Sequence, residues 1–409
     1  MASDLKTESP PDLSDEAGTI DTEPPVNEKS LLRKLDAKLL PAVGVLYLLS
    51  FLDRSNVGNA RIEGMVDDLN MTGNQYLTGL TLYFVGYVLF EVYLKGFLIA
   101  RFFLGVTESG LFPGMGGVVW ENGWRWIFIL GIATVVVAVA AYWFIENYPD
   151  TSNFLTKAER TFIHERLAAD SDAIRQEQFS WVAVREALRD PSCWLYGLGF
   201  HTMSLPLYTL SLFLPTIIKD LGYKAAVAQL LTIPPYALAF LTTLGVAIVS
   251  EKLGQRALFI AGSSVVAAIG YIILLANTNP TARPGVSYLG TFFAAAGIYP
   301  ATALVLSWPA INVSGQTKRA IANAMQISIG NLGAVLGTQL YRANDGPRFI
   351  VGHSMALGYL VANVIVVTFL GWRLKKQNES RAAVAEEIKH VGEVEDWKGD
   401  SDVRWRFEY

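Results

Sequence analysis

Residues 39–59 read Leu39-Leu40-Pro41-Ala42-Val43-Gly44-Val45-Leu46-Tyr47-Leu48-Leu49-Ser50-Phe51-Leu52-Asp53-Arg54-Ser55-Asn56-Val57-Gly58-Asn59. The stretch 39–52 carries no charge, and the pair Asp53-Arg54 follows it directly. About 20 residues are needed to cross a hydrocarbon core of roughly 30 Å, so a membrane span starting here needs the polar residues too. If the helix continues, an acid and a guanidinium enter the membrane. Each such charge costs about 2.5–3.5 kcal/mol at mid-bilayer on insertion scales. A chain that keeps both there puts them to use, most simply to hold an ion or a charged solute.

The rest of the chain supports the membrane reading. Of 409 residues, 52% are hydrophobic and only 17% charged, against about 25% charged in soluble domains. Apolar runs of span length recur near 38–60, 76–95, 97–119, 124–146, 193–217, 228–249, 257–276, 285–307, 320–341 and 350–372. They are too long, and apolar on too many faces, for barrel strands of about 10 alternating residues. This predicts an all-α integral membrane protein whose partner is the lipid bilayer. The net charge of −4 suggests no nucleic-acid partner. The single cysteine, Cys193, excludes an internal disulfide framework. No Cys/His spacing suggests a metal, and no nucleophile–base set suggests an enzyme; no cofactor is expected.

Basic residues set the expected topology. Lys29, Arg33, Lys34 and Lys38 precede the first span; Lys157, Arg160, Arg166, Arg175, Arg185 and Arg189 fill the loop 147–192; Lys252 with Arg256, and Lys318 with Arg319, mark two later loops; Arg373, Lys375 and Lys376 follow the last span. Simple alternation puts all of them on one side, the cytoplasm. The expected organisation is a disordered acidic tail at 1–37, a helical bundle at 38–146, a cytoplasmic loop at 147–192, a second bundle of six helices at 193–372 and a cytoplasmic tail at 373–409. Residues 1–30 lack the apolar core of a signal peptide. Within the central loop, Thr156-Lys157-Ala158-Glu159 fits a capping box, so a helix starts near 157. Phe179 to Leu188 reads as an amphipathic interfacial helix or a solvated linker, ending at Asp190-Pro191.

Several stretches together resemble a known family. They are Lys-Leu-Leu-Pro (38–41), Tyr-Leu-Leu-Ser-Phe-Leu-Asp-Arg-Ser-Asn-Val-Gly-Asn-Ala-Arg (47–61), Ala-Arg-Phe-Phe-Leu-Gly-Val-Thr-Glu-Ser-Gly-Leu-Phe-Pro-Gly (100–114), Gly-Trp-Arg-Trp-Ile-Phe-Ile-Leu (123–130), Asn-Tyr-Pro-Asp-Thr (147–151), Ser-Leu-Phe-Leu-Pro-Thr-Ile-Ile (211–218) and Gly-Gln-Thr-Lys-Arg-Ala (315–320). The chain resembles the major facilitator superfamily in its anion:cation symporter group, in particular fungal allantoate, nicotinate and pantothenate permeases. The resemblance implies a two-bundle helical transporter around a central cavity open alternately to each side. It also implies proton-coupled uptake of a small organic anion across a fungal plasma membrane, by a protein acting as a monomer. One departure matters: the family has twelve spans. Here Glu91-Val92 runs almost directly into Lys95-Gly96, and Val119-Trp120 into Gly123-Trp124. About ten spans remain, with the third and fifth of the family apparently missing, and 97–119 is inverted relative to it. A shortened gene product or a non-transporting relic is therefore the rival reading.

Candidate site residues follow. A guanidinium grips a carboxylate through two parallel hydrogen bonds, so Arg54 is the expected substrate anchor; the alternative is a pair with Asp53 or snorkelling to the surface. Desolvation brings a buried carboxylate's titration toward neutral pH, and the resemblance makes Asp53 and Glu108 the proton carriers. Tyr83 and Tyr87, one turn apart, and Tyr208 are candidates to donate a hydroxyl to the substrate. The resemblance implies a substrate-contacting amide at Asn331, with Gln326 a weaker candidate. His201, inside a span, reads as a neutral, hydrogen-bonded histidine rather than a titrating one. Interior packing is the competing role for the tyrosines. The run Ser250-Glu251-Lys252-Leu253-Gly254-Gln255-Arg256 resembles a superfamily loop, which implies a gating role for Glu251, Lys252 and Arg256 through pairing with helix ends.

Overall fold

The computed structural model describes residues 26–90, 137, 140, 152, 154–169, 180–391 and 399–409, with side-chain surroundings omitted at 43, 47–55, 86–90, 167–169 and 387–391. All regular elements among these are helical: α1 Glu28–Ile62, α2 Met65–Asp68, α3 Gly73–Phe90, α4 Lys157–Ala169, α5 Trp181–Arg189, α6 Pro191–Asp220, α7 Ala225–Leu230, α8 Ile233–Leu253, α9 Arg256–Ala276, α10 Pro284–Asn312, α11 Gln316–Gly337 and α12 Ile350–Val391, with 3-10 turns at Ala343–Asp345 and Gly399–Ser401. Local chemistry sets the helix starts. Asn27 caps α1 by accepting from the Ser30 amide. Asp190 caps α6 by accepting from the Ser192 amide, with Pro191 in the first turn, where a missing N–H costs nothing. The expected capping box is present: the Thr156 amide donates to Glu159 at 2.9 Å and the Glu159 amide to Thr156 Oγ1 at 3.3 Å. It opens α4. Lys34 of α1 reaches the same carboxylate at 2.8 Å and holds it below the usual carboxylate range.

The amphipathic stretch after 179 forms α5, capped by Ser180. Trp181, Val182 and Leu188 stand exposed on it, which suits a helix resting on a lipid surface. α12 does not end with its apolar run at 372. The helix continues to Val391 because 373–391 contains no Pro or Gly to stop it.

Among the described residues, five helices are long and apolar enough to cross a membrane: Ala225–Leu253 (with a break between α7 and α8), Arg256–Ala276, Pro284–Asn312, Gln316–Gly337 and Ile350–Glu386. α6 falls outside that set for a physical reason. It carries His201, Thr202, Ser204, Thr209, Ser211 and Thr216 and is buried from Met203 to Ile218, so protein rather than lipid surrounds it. α5, α7, α10, α11, α12 and α1 all pack against it. Glycines set the approach of α11: a Cβ at Gly330 would run into the Phe200 ring, one at Gly333 into the His201 carbonyl, and one at Gly337 would sit 3.0 Å from Thr209 Cγ2. This three- and four-residue spacing keeps one bare face toward α6. Polar groups then bond across the gap, with Ser204 Oγ donating to the Gly330 carbonyl at 2.5 Å. Asn363 of α12, fully buried, donates to the Gly199 carbonyl and Thr202 Oγ1 and accepts from Ser264 Oγ, at 2.8–2.9 Å. It joins α12 to α6 and α9.

The α9–α10 seam also rests on glycine, since a Cβ at Gly297 would strike the Ser263 carbonyl and Ala267. Gly297→Val is expected to cost at least the 1–3 kcal/mol typical of overpacking, read as a lower melting temperature in detergent. Gly285→Ala, with nothing within 4 Å, is the matched control and should leave it unchanged. A second expectation concerns pH. Because Glu159 titrates below its unfolded value, the α1–α4 tie is complete above the ordinary carboxylate range and is lost as pH falls through the lowered folded value. Amide exchange in α4 should quicken over that acidic window, and Glu159→Gln should abolish the dependence.

Candidate functional site

α1 runs without interruption through Asp53 and Arg54. Arg54 lies eight residues before the helix end at Ile62, about 12 Å at 1.5 Å per residue. The side-chain surroundings of Asp53, Arg54 and Tyr87, and all of Glu108, lie outside the described residues. Tyr83 and Tyr208 come together through a residue the sequence did not single out, Phe84. The Tyr83 ring stands edge-on to Phe84 at 5.1 Å, and Phe84 meets Tyr208 at 4.6 Å. The three rings fill the space between α3 and α6. Asn331 is buried on α11, which packs against both of those helices. Gln326 and His201 are engaged with backbone: Gln326 Nε2 donates to the Val305 carbonyl at 2.7 Å, and His201 Nδ1 lies 3.0 Å from the Ile329 carbonyl.

A polar clasp joins α1 and α3 to the later helices at one end. Thr81 and Thr338 share a hydrogen bond of 2.8 Å. Gln339 Nε2 donates to the Leu77 carbonyl at 3.1 Å and to Thr81 Oγ1 at 2.5 Å. Lys219 donates to the Ile62 carbonyl and Gln229 to Glu63, both at 3.0 Å. Gly58 lets α1 press on the Leu212 carbonyl. The Arg61 guanidinium lies over the rings of Tyr76, at 4.9 Å, and Phe213, at 5.7 Å, a cation–π arrangement worth about 0.5–2 kcal/mol depending on desolvation. Burial pushes the Asp220 carboxyl up, against the pull of Arg61 and Lys219. Arg61 sits in the quoted 47–61 stretch, but nothing in the sequence pairs it with residues 76, 213 and 220.

The opposite end holds the loop expected to gate. Glu251 and Lys252 are exposed, whereas Arg256 is buried. The Arg256 partners are not helix ends: Nε donates to Glu408 at 2.5 Å and Nη1 to Ser307 Oγ at 3.1 Å. The polar C-terminal segment thus supplies the partner, a contact no local pattern signals. Among the described residues no His/Cys/Asp/Glu group is arranged to hold a metal.

Comparison with known proteins gives the family. An uncharacterized transporter of Schizosaccharomyces pombe is 28% identical over 453 aligned positions, covering 92% of this chain and 90% of that protein. The high-affinity nicotinic acid transporter of Saccharomyces cerevisiae is 27% identical over 440 positions, covering 90% and 82%. Both alignments are longer than the 409 residues of the whole chain, so these relatives carry internal residues that it lacks. Among solved structures, an inward-facing bacterial homologue of the human lysosomal transporter Spinster aligns with a TM-score of 0.42 at 15% identity, covering 84% of this chain and 96% of that one. A Major Facilitator Superfamily profile matches residues 102–338, more than half of the sequence. With its all-helical architecture and several membrane-length apolar helices, this chain is a multi-pass membrane protein that belongs to the Major Facilitator Superfamily of transporters.

Proposed function

We propose that this chain carries a small organic anion across a fungal plasma membrane, coupled to protons, by alternating access. The observation that carries the reading is the unbroken passage of α1 through Asp53 and Arg54. With α1 taken to cross the membrane, an acid and a guanidinium inside it are too costly to keep without a task, and a nicotinic acid transporter is among the relatives. Arg54 anchors the solute's carboxylate. Tyr83, Tyr87, Tyr208 and Asn331 line its seat, and Asp53 and Glu108 load and release the proton.

The basic residues assign the ends of the helices. Lys252, Arg256, Lys318 and Lys375 belong to the end where α8 finishes and α9 and α11 start, which this rule puts in the cytoplasm. On this reading the clasp closes the outer side, and the central cavity that the resemblance implies opens inward. The clasp is weak enough to cycle. Its neutral hydrogen bonds are worth about 0.5–1.5 kcal/mol each and those of Lys219 and Glu63 about 1.5–3 kcal/mol, the scale of the few kcal/mol that separate two interconverting states.

A second reading is favoured by one observation, the internal residues that the relatives carry and this chain lacks. On that reading the product is a shortened, non-transporting membrane protein or a nutrient sensor. Sequencing the mature transcript separates the two: a message containing the additional stretches restores the carrier, and one without them favours the relic.

Uptake of radiolabelled nicotinate by yeast cells lacking their own carrier tests the first reading. Expression of this chain should confer uptake that a protonophore abolishes. Arg54→Ala should lower it about 10- to 100-fold, the value of a charge-assisted hydrogen bond of about 1.5–3 kcal/mol. Uptake indifferent to the proton gradient rejects coupling, and unchanged uptake by the Arg54 variant rejects the anchor. For the clasp, a double-mutant cycle of Thr81→Val and Thr338→Val should give a coupling of about 0.5–1.5 kcal/mol in the outward-open population, read by labelling from outside. Strict additivity of the two changes would remove the clasp from the conformational cycle.

A further inference from the structure

The sequence reads the chain after 373 as a polar tail, yet residues 399–409 lie against the basic end of the second bundle. Lys318 at the start of α11, nearly buried, is held by Asp400 at 2.6 Å and by Asp190 at 3.3 Å. Arg256 at the start of α9 is held by Glu408. The Glu408 carbonyl accepts from Trp308 Nε1 and Asn312 Nδ2, both at 2.8 Å, and its amide donates to Asn312 Oδ1 at 2.8 Å. Asn378 of α12 exchanges two hydrogen bonds with the backbone of Phe407, at 2.8 and 2.9 Å. Arg381 donates to the Asp400 carbonyl at 2.7 Å and lies over the Phe407 ring at 4.4 Å. Gly399, with φ of 65°, fits against Ser314 in a left-handed conformation. The segment therefore ties the starts of α9 and α11, the end of α10 and the second half of α12 to one another, and Lys318 links it to Asp190 at the start of α6.

We propose that residues 399–409 form an intramolecular strap that opposes closure of the basic end, an autoinhibitory contact built into the chain. The argument rests on the transporter reading above, in which that end must close for the clasped end to open. Two features give the strap this role. It takes up the charge of Arg256 and Lys318, the cations that the loops α8–α9 and α10–α11 would offer to an approaching surface. It also lies over the helix ends that such a surface must reach. Its two ion pairs differ. The Glu408 side chain is part-exposed (42%) and its pair is of the weaker, solvent-screened kind, whereas Lys318 and Asp400 are both nearly buried and costly to separate, so the strap lifts from its Glu408 end first. A strap that lifts shifts the population toward the state with the basic end closed, by as much as its differential binding to the two states.

Two measurements that need no substrate test this. In the first, Ser314→Cys and Gly399→Cys are combined; a Cβ at 399 lies 3.3 Å from that of Ser314, close to the roughly 3.5–4.5 Å of a disulfide. Oxidation of intact membranes should yield the 314–399 linked peptide by mass spectrometry, with none from either single variant. In the second, Asp400→Asn/Glu408→Gln is built into a Leu77→Cys background. Leu77 is buried at the clasp, and its labelling by a membrane-impermeant maleimide reports the opening of that end. Loss of the two carboxylates should raise labelling at least threefold; unchanged labelling overturns the proposal, as does a 314–399 bond that never forms. A third arm measures nicotinate uptake, where the oxidised double-cysteine protein should be slowed and dithiothreitol should restore it. Locked protein transporting at the reduced rate also overturns the strap. No uptake by any form, together with the expected labelling, sinks the transport reading and leaves the strap standing.

Discussion

The architecture depends on the burial of a polar helix. α6 is too rich in Ser, Thr and His to face lipid along its length, so it is stable only if neighbours satisfy those groups. Hydroxyls donate to carbonyls of α6 itself, as with Thr202 and Thr209, or across the seam to α11, as with Ser204. The bare glycine face of α11 makes the second solution geometrically available. Without a hydrophobic driving force between helices in lipid, close packing and interhelical hydrogen bonds are what association relies on. α1 and α3 reach the later helices through the same pair: α1 lies on α6 and α3 on α11.

The two ends of the molecule are secured by different physics. At the clasp, hydroxyl and amide groups bond side to side, Lys219 and Glu63 each join one hydrogen bond with a neutral partner, and the Arg61 guanidinium is sheltered by Tyr76 and Phe213. At the strap, carboxylates meet the buried cations Arg256 and Lys318, and only the Glu408 side chain reaches water. Screening by salt acts on the strap only at its part-exposed Glu408 pair, because exposed charges weaken over a Debye length of about 8 Å at physiological ionic strength while buried pairs are screened much less. A carrier with ends secured in this way could be tuned at one of them by its ionic surroundings without disturbing the other.

How far the sequence discloses this depends on the range of the interaction. The box Thr156–Glu159 is a four-residue pattern, and it starts α4 as expected. The apolar spacing after 179 is likewise local, and α5 forms there with its tryptophan outward. The passage of α1 through Asp53-Arg54 follows from counting residues against the bilayer. Phe84 between Tyr83 and Tyr208, or Gln339 on the Leu77 carbonyl, joins residues more than a hundred apart, and no spacing rule encodes such a pairing. The closing segment misleads for another reason. Composition alone makes Gly399–Tyr409 look solvated, because Asp400 and Glu408 count as polar until their cations are known.

α12 is 42 residues long, roughly 63 Å at 1.5 Å per residue, about twice the hydrocarbon thickness of a bilayer. Its far half projects clear of the lipid like a mast, with Asn378 and Arg381 mounted on it as cleats. A rigid rod magnifies tilt, so a rocking of the bundle by a few degrees within the membrane becomes a displacement of several ångström where the chain is moored.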